Sequence, residues 1–260
     1  MLAPGKSAEL VGFLLSILII GYAMYRAKAT GKVPQVRRIA GLDAIDEAVQ
    51  RATEMGRPVM MVPGTGDVTD AFAVQTLAGL AILRRTATLC ARYDTKLYVS
   101  IKRANLLPIA SEIVRESFAN ENKPDRYSED TVQWFSDDQF AHALATVGVM
   151  TREKVASAIL TGFFQAESLL LAEAAGQLGA ITIGGCGRLS QIPFFVVCCD
   201  YCLIGEELMV AGAYLDRRPI MLGAIQGQDI AKSILVLLTI IGVAMMTISN
   251  NSSLVKLLKK

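Results

Sequence analysis

Two glycine-bearing stretches carry the residue types that hold anions. Pro63-Gly64-Thr65-Gly66-Asp67 follows the apolar run Val59-Met60-Met61-Val62 and precedes a long helical stretch from about Asp70 to Arg92. Backbone N–H groups and a helix N-terminus can hold a phosphate at such a place. As a dinucleotide fingerprint the pattern is incomplete, because Thr69 stands where G-x-G-x-x-G needs its third glycine and no Walker lysine follows. A plain turn with an aspartate cap is the competing role for Gly64, Thr65, Gly66 and Asp67. Gly184-Gly185-Cys186-Gly187-Arg188 is the second loop, where Arg188 suits an anionic ligand and a tight turn is again the alternative. A parallel sheet could set these two strand ends side by side, and the crevice between them is where a nucleotide or phosphorylated metabolite is to be sought.

Sulfur is the other concentrated chemistry. Cys186, Cys198, Cys199 and Cys202 crowd one segment, and Cys199-Asp200-Tyr201-Cys202 has the CxxC spacing of metal and redox sites. Against a metal, Cys198 and Cys199 continue the apolar run Phe194-Phe195-Val196-Val197 and read as buried structural thiols. Glu167 and Glu173, and Asp200, Glu206 and Glu207, stand in apolar surroundings and need partners, for which Arg188, Arg217 and Arg218 suffice as an ion-pair network. His142, the only histidine, has no second histidine for a zinc site and reads as a partly exposed surface residue. These residues make no complete catalytic set, and no cofactor is implied.

The elements that must position them alternate. Gly41 to Met55 places Leu42, Ile45, Ala48, Val49 and Ala52 on one helical stripe, with Gly56 as its C-cap. Strand, glycine loop and helix follow, then a strand at Lys96 to Ile101 and a helix at Leu106 to Phe118. After the polar loop Asn120 to Asp130 come a short strand, Thr131 to Phe135, and a helix capped at Ser136. Thr151-Arg152-Glu153-Lys154 reads as a helix start, Gln165 to Leu178 as a helix and Ala180 to Ile183 as a strand. An apolar run, Ile192 to Val197, and a helix from Ile204 to Tyr214 complete the series. This succession predicts an α/β domain of three layers, a mostly parallel Rossmann-like sheet flanked by helices.

The 260 residues are 52% hydrophobic with a formal charge of +2, too apolar for an average soluble protein and too charged for a polytopic transporter. The balance leaves no electrostatic footprint for nucleic acid. Apolarity is concentrated at Leu10 to Tyr25 and in the uncharged stretch from Ser233 to Val255, each suited to span a bilayer. The expected organisation is an N-terminal anchor over 1–30, the α/β domain over 31–228, and a second span with a basic tail over 229–260. A cleaved signal peptide is disfavoured, since basic residues follow the first apolar stretch instead of preceding it. Arg26, Lys28, Lys32, Arg37, Arg38, Arg217, Arg218 and Lys232 flank the spans on the domain side, eight against Lys6, Lys256, Lys259 and Lys260, four, on the other. That bias predicts a cytoplasmic domain in the inner membrane with both termini on the opposite side.

The series GLDAIDEAVQRATEMGRPV with PGTGD (41–67), FFQAESLLLAEAA (163–175), GAITIGG (179–185), CDYCLIGEEL (199–208) and AGAYL with LGAIQGQD (211–229) resembles an uncharacterised prokaryotic membrane-anchored family, domain of unknown function 6754. The resemblance implies a bacterial or archaeal inner-membrane protein of this layout and carries no activity, cofactor or catalytic residue with it. Three functions are open at this stage. The first is a non-catalytic scaffold that self-associates or joins a larger membrane complex, with the lipid bilayer as its other partner. The second is a nucleotide- or phosphometabolite-binding domain, and the third an accessory subunit of a membrane redox or transport complex.

Overall fold

The structure is a computed structural model that describes residues 7–31, 38–216 and 219–249. Of the basic residues that orient the chain, Lys6, Lys32, Arg37, Arg217, Arg218, Lys256, Lys259 and Lys260 lie outside the described residues. Contacts divide the chain into two compact units, Arg38–Leu215 and the two flanking segments.

The first apolar stretch forms helix α1 (Ser7–Thr30). The α/β unit opens with α2 (Ala40–Glu54), whose stripe of Leu42, Ile45, Ala48, Val49 and Ala52 is buried as its 3.6-residue period requires. Strand β1 (Val59–Val62), α3 (Ala73–Tyr93), β2 (Leu97–Ile101), α4 (Leu107–Asn120) and β3 (Val132–Trp134) follow in alternation. The chain continues through α5 (Gln139–Glu153), β4 (Ser157–Thr161), α6 (Glu167–Gln177), β5 (Ile181–Cys186), α7 (Ile192–Cys198) and β6 (Tyr201–Ile204). Two short helices, α8 (Glu206–Met209) and α9 (Ala211–Asp216), end the unit. All five strand pairings are parallel and the order is β3-β2-β1-β4-β5-β6, the order of a doubly wound sheet whose direction of winding reverses between β1 and β4.

Alternate strand residues feed two cores. Met61, Val99, Ile101, Ile159 and Leu203 pack with α2, α3 and α4 on one face, whereas Met60, Val62, Leu160 and Cys186 pack with α5, α6 and α7 on the other. Strands β1, β2 and β4 are buried along their whole length, as parallel strands covered on both faces are.

Two local readings are corrected. Thr151 to Lys154 close α5 instead of opening a helix, because Lys154 adopts the left-handed conformation (φ 53°) that caps it. Strand β4 follows at once. The helix start expected at Ser136 is Asp138, whose carboxylate accepts from the N–H groups of Phe140 and Ala141, while Ser136 accepts from Asp138. The run Ile192 to Val197 is helical, with Pro193 in its first turn, and the sixth strand lies beyond it.

The second apolar stretch belongs to α10 (Pro219–Ser249), a helix that starts ten residues ahead of the boundary set by apolarity at 229. The windows Leu10–Thr30 and Pro219–Ala244 are long and apolar enough to cross a membrane. Helices α1 and α10 pack antiparallel through small residues. A Cβ on Gly223 would meet Ala27 Cβ at 2.6 Å, and one on Gly227 would meet Ile20 Cα at 2.8 Å and Ala23 Cβ at 3.1 Å. Gly12, Gly21 and Gly242, small residues that could equally permit close helix contact, face open space.

Candidate functional site

In a doubly wound sheet the ligand crevice lies at the carboxyl ends of the strands where the winding reverses. Here that is between the loop after β1, Pro63 to Asp67, and the turn after β4, Gly162-Phe163-Phe164. The two loops singled out in the sequence are therefore not neighbours, since β4 stands between β1 and β5. Gly184 and Gly185 sit within β5 itself, where a Cβ would strike the Phe195 ring or Leu203 Cβ at 2.9 Å, so packing across the sheet requires both glycines.

The crevice is closed by the chain's own groups. Gly64, at φ +88°, lies so close to the turn after β4 that a Cβ would meet Phe163 N at 2.6 Å and Gly162 Cα at 3.0 Å. Thr65 N–H donates to Phe163 O at 2.7 Å, and the Thr65 hydroxyl donates to Glu167 Oε1 at 2.7 Å. Beneath them Gly79 of α3 brings that helix against the backbone, where a Cβ would meet Pro63 O and Thr161 O, each at 2.6 Å. Above, the rings of Phe72 and Phe163 stack with centroids 3.9 Å apart, and the Arg188 guanidinium lies 5.8 and 5.5 Å from those centroids. Asp67 accepts from the Asn105 amide at 3.0 and 2.8 Å and from the Thr69 N–H at 3.3 Å, and the Asn105 bond above all holds its carboxyl below the usual range. The aspartate cap expected here does not form: α3 has Phe72 at its N-cap position with no side-chain cap, and Asp70 accepts instead from the loop N–H groups of Asp67 and Phe72.

Beside the closed crevice, on the α5 and α6 side, lies a polar cluster. Glu167 is fully buried and accepts from Thr65, from Gln139 and from the Gln165 N–H, so hydrogen bonds satisfy it and not the ion pair expected from the sequence. Lys102, at the end of β2, is 8% exposed, and its ammonium makes no hydrogen bond or ion pair among the described residues. Burial drives its pKa down, with Arg103 acting the same way, against Glu167, Asp137 and Asp138. His142 is wholly buried, which corrects the surface reading. Neither ring nitrogen has a partner among the described residues, and burial, aided by Lys102, lowers its pKa to about 4. Lys102 escaped the sequence reading, although its place directly after the strand-forming run Leu97 to Ile101 was the available signal.

A family model described as a domain of unknown function, DUF6754, matches residues 2–257. The chain belongs to this family. No curated protein and no solved structure matches the chain.

In this DUF6754 chain the cysteines do not converge as ligands. Cys186 is buried at the end of β5, where its thiol faces Gln75 Oε1 at 3.7 Å and accepts from the Arg188 N–H at 3.4 Å. Cys198, Cys199 and Cys202 line the core beneath α7, and Cys199 Sγ lies 2.8 Å from where a Gly184 Cβ would stand. Burial pushes the thiols of Cys186, Cys199 and Cys202 up, which holds their protons on and opposes metal binding. Among the described residues no three His, Cys, Asp or Glu side chains are placed to hold a metal ion. Asp200 is likewise spent on structure, accepting from Thr182 N–H at 2.8 Å and from its hydroxyl at 2.9 Å. A cleft of about 450 Å³ opens at the opposite, amino end of the sheet, lined by Asp94, Lys96, Tyr98, Arg126 and Arg152 among others. Its arginines and lysine pair within it or with Glu153: Arg126 with Asp94 at 2.7 Å, Arg152 with Glu153 at 3.1 Å and Lys96 with Glu153 at 3.7 Å.

Proposed function

We propose that this chain is a non-catalytic assembly protein of a prokaryotic inner membrane. Helices α1 and α10 anchor it, the α/β unit lies in the cytoplasm, both termini lie on the other side, and the unit self-associates. The observation that carries this reading is the flank of the sheet at β6. That strand has a neighbour on one side only, and beside it α7 exposes Val196 and, at 83%, Val197. Open edges and contiguous exposed apolar side chains are the features by which sheets pair with further chains. The closed crevice supports the same reading, because the groups that would face a ligand there are engaged in internal bonds and ring stacking.

A second copy of the chain is the proposed occupant of this flank. Mass photometry of the full chain, purified in mild detergent at native expression level, is expected to give one uniform oligomer. Val196→Glu with Val197→Glu is expected to shift it to monomers without loss of the fold. A wild-type chain that runs as a lone monomer with nothing bound would overturn the reading, and a stable complex with a different protein would replace self-association by joint assembly.

A further inference from the structure

We infer that the groove between α1 and α10 binds an anionic phospholipid, with the Arg26 guanidinium on the phosphate and an acyl chain along Leu15, Leu18, Ile19 and Ile230. This inference rests on the two-span reading proposed above and adds a ligand to it.

The first observation is the shape that the small residues give to the helix pair. Gly223 lies against Ala27 and Met24, and Gly227 against Ile20 and Ala23, so the helices touch along one line and larger side chains diverge beside it. A groove of about 420 Å³ opens there. In this antiparallel register Gln226 stands at the level of Tyr22, and Ile230 lies one turn further from the Arg26 end. Arg26 follows Leu15 by 11 residues, so the groove runs ~16 Å along the axis, about the depth of one leaflet in a ~30 Å hydrocarbon core.

The second observation is how polarity changes along that length. Leucine and isoleucine line the deep end, whereas Tyr22, Arg26 and Gln226 gather at the other. Tyr22 and Tyr25 are both exposed, and tyrosines on spanning helices mark the level of the headgroups. Arg26 is the one charged side chain in the lining, and its guanidinium has no hydrogen bond or ion pair among the described residues. A guanidinium engages a phosphate through two parallel N–H donors, and the Gln226 amide supplies a further donor beside it. No carboxylate lines the groove to receive the ammonium of a zwitterionic headgroup, since Asp229 and Lys232 of α10 lie outside the lining. The charge in the groove thus matches an anionic lipid, and basic pockets between spanning helices are where such headgroups are held. A second copy matches it poorly, because a two-fold pairing through the same groove brings Arg26 towards Arg26.

The test uses the full chain in a Trp134→Phe background, which removes the only tryptophan. Leu18→Trp then reports from the groove and, in a separate protein, Phe13→Trp from outside its lining. Each is reconstituted in phosphatidylcholine vesicles with graded amounts of phosphatidylglycerol or phosphatidylcholine brominated on the acyl chains. Leu18→Trp is expected to be half-quenched at an about five-fold lower fraction of the brominated phosphatidylglycerol, the preference that one basic residue supplies at a lipid surface. Phe13→Trp is expected to respond to both lipids alike. Adding Arg26→Gln is expected to abolish the preference, and adding Lys28→Gln, on the same helix but outside the lining, to keep it. Equal quenching of Leu18→Trp by the two lipids, or an equal loss in the Lys28 variant, would overturn the site and leave ordinary bilayer contact. A groove reporter that neither lipid quenches would overturn it too, and give the groove to a second copy. Flotation after an alkaline wash separates the two proposals. A chain that fails to float with the vesicles removes the two-span reading, while one that floats without the preference removes only the lipid site.

Discussion

His142 lies wholly buried on α5, and the same helix turns Phe140 and Leu144 outward. This inversion is why the residue read as a surface histidine, since the polar-out rule assigns the faces of α5 the wrong way round. Its effect on stability has a definite sign. The folded-state pKa of about 4 lies below the ordinary value of 6.5, so as pH falls through 6.5 the unfolded chain takes up a proton that the folded chain refuses. Stability contributed by the neutral imidazole is complete above pH 6.5, is lost down to about pH 4, and then levels off; the loss is about 3 kcal/mol at one proton. His142→Leu removes an unsatisfied polar ring, so the variant is expected to be at least as stable as the wild type at pH 7 and to lose less between pH 7 and 4.5. Thermal melts across that range check this, and an unchanged acid profile would exclude the imidazole as its source. Other single residues were legible. The glycine at position 64 marked a turn that does need positive φ, whereas the engagement of Asp67 with Asn105 depends on a residue far along the chain.

At the scale of elements, strands β1, β2, β3 and β5 were readable, and β4 and β6 were not. Helix α5 ends on Lys154 in a left-handed conformation with no glycine to announce it, and Ser157-Ala158 opens β4 with residues of weak strand preference. Losing that strand displaced the point where the winding reverses, and so made two distant loops look adjacent. What holds β1 and β4 to α3 is Gly79, whose Cβ would press on the carbonyls of Pro63 and Thr161. Gly79→Ala is expected to destabilise the α/β unit by about 2–3 kcal/mol, because backbone on both sides cannot yield. Gly148, within α5, has nothing within 4 Å of a Cβ, so Gly148→Ala is expected to stabilise by ~0.5–1 kcal/mol through helix propensity alone. Denaturant unfolding of the two variants tests the contrast; equal effects of one sign would mean that α3 does not approach the sheet so closely.

At the scale of the whole molecule, apolar length showed two candidate spans but not how they pair. The decisive residues are Ala23, Ala27, Gly223 and Gly227, each pair four apart and so on one helical face, and two of them lie in the part of α10 that its polar residues had assigned to the soluble domain. Gln226, Gln228, Asp229 and Lys232 do not break the helix, since it continues through them from Pro219. Small residues let the backbones of α1 and α10 approach until side chains no longer separate them, which fixes their register. Cysteines at Ala27 and Gly223 are therefore expected to form an intramolecular disulfide under mild oxidation of the full chain in vesicles, since their side chains would meet directly. Cysteines at Gly21 and Gly242, which face open space, are expected to stay reduced. Mobility on a non-reducing gel reads both. A bridge between the second pair and none between the first would require a different register, and with it a different face of α10 turned towards the surroundings.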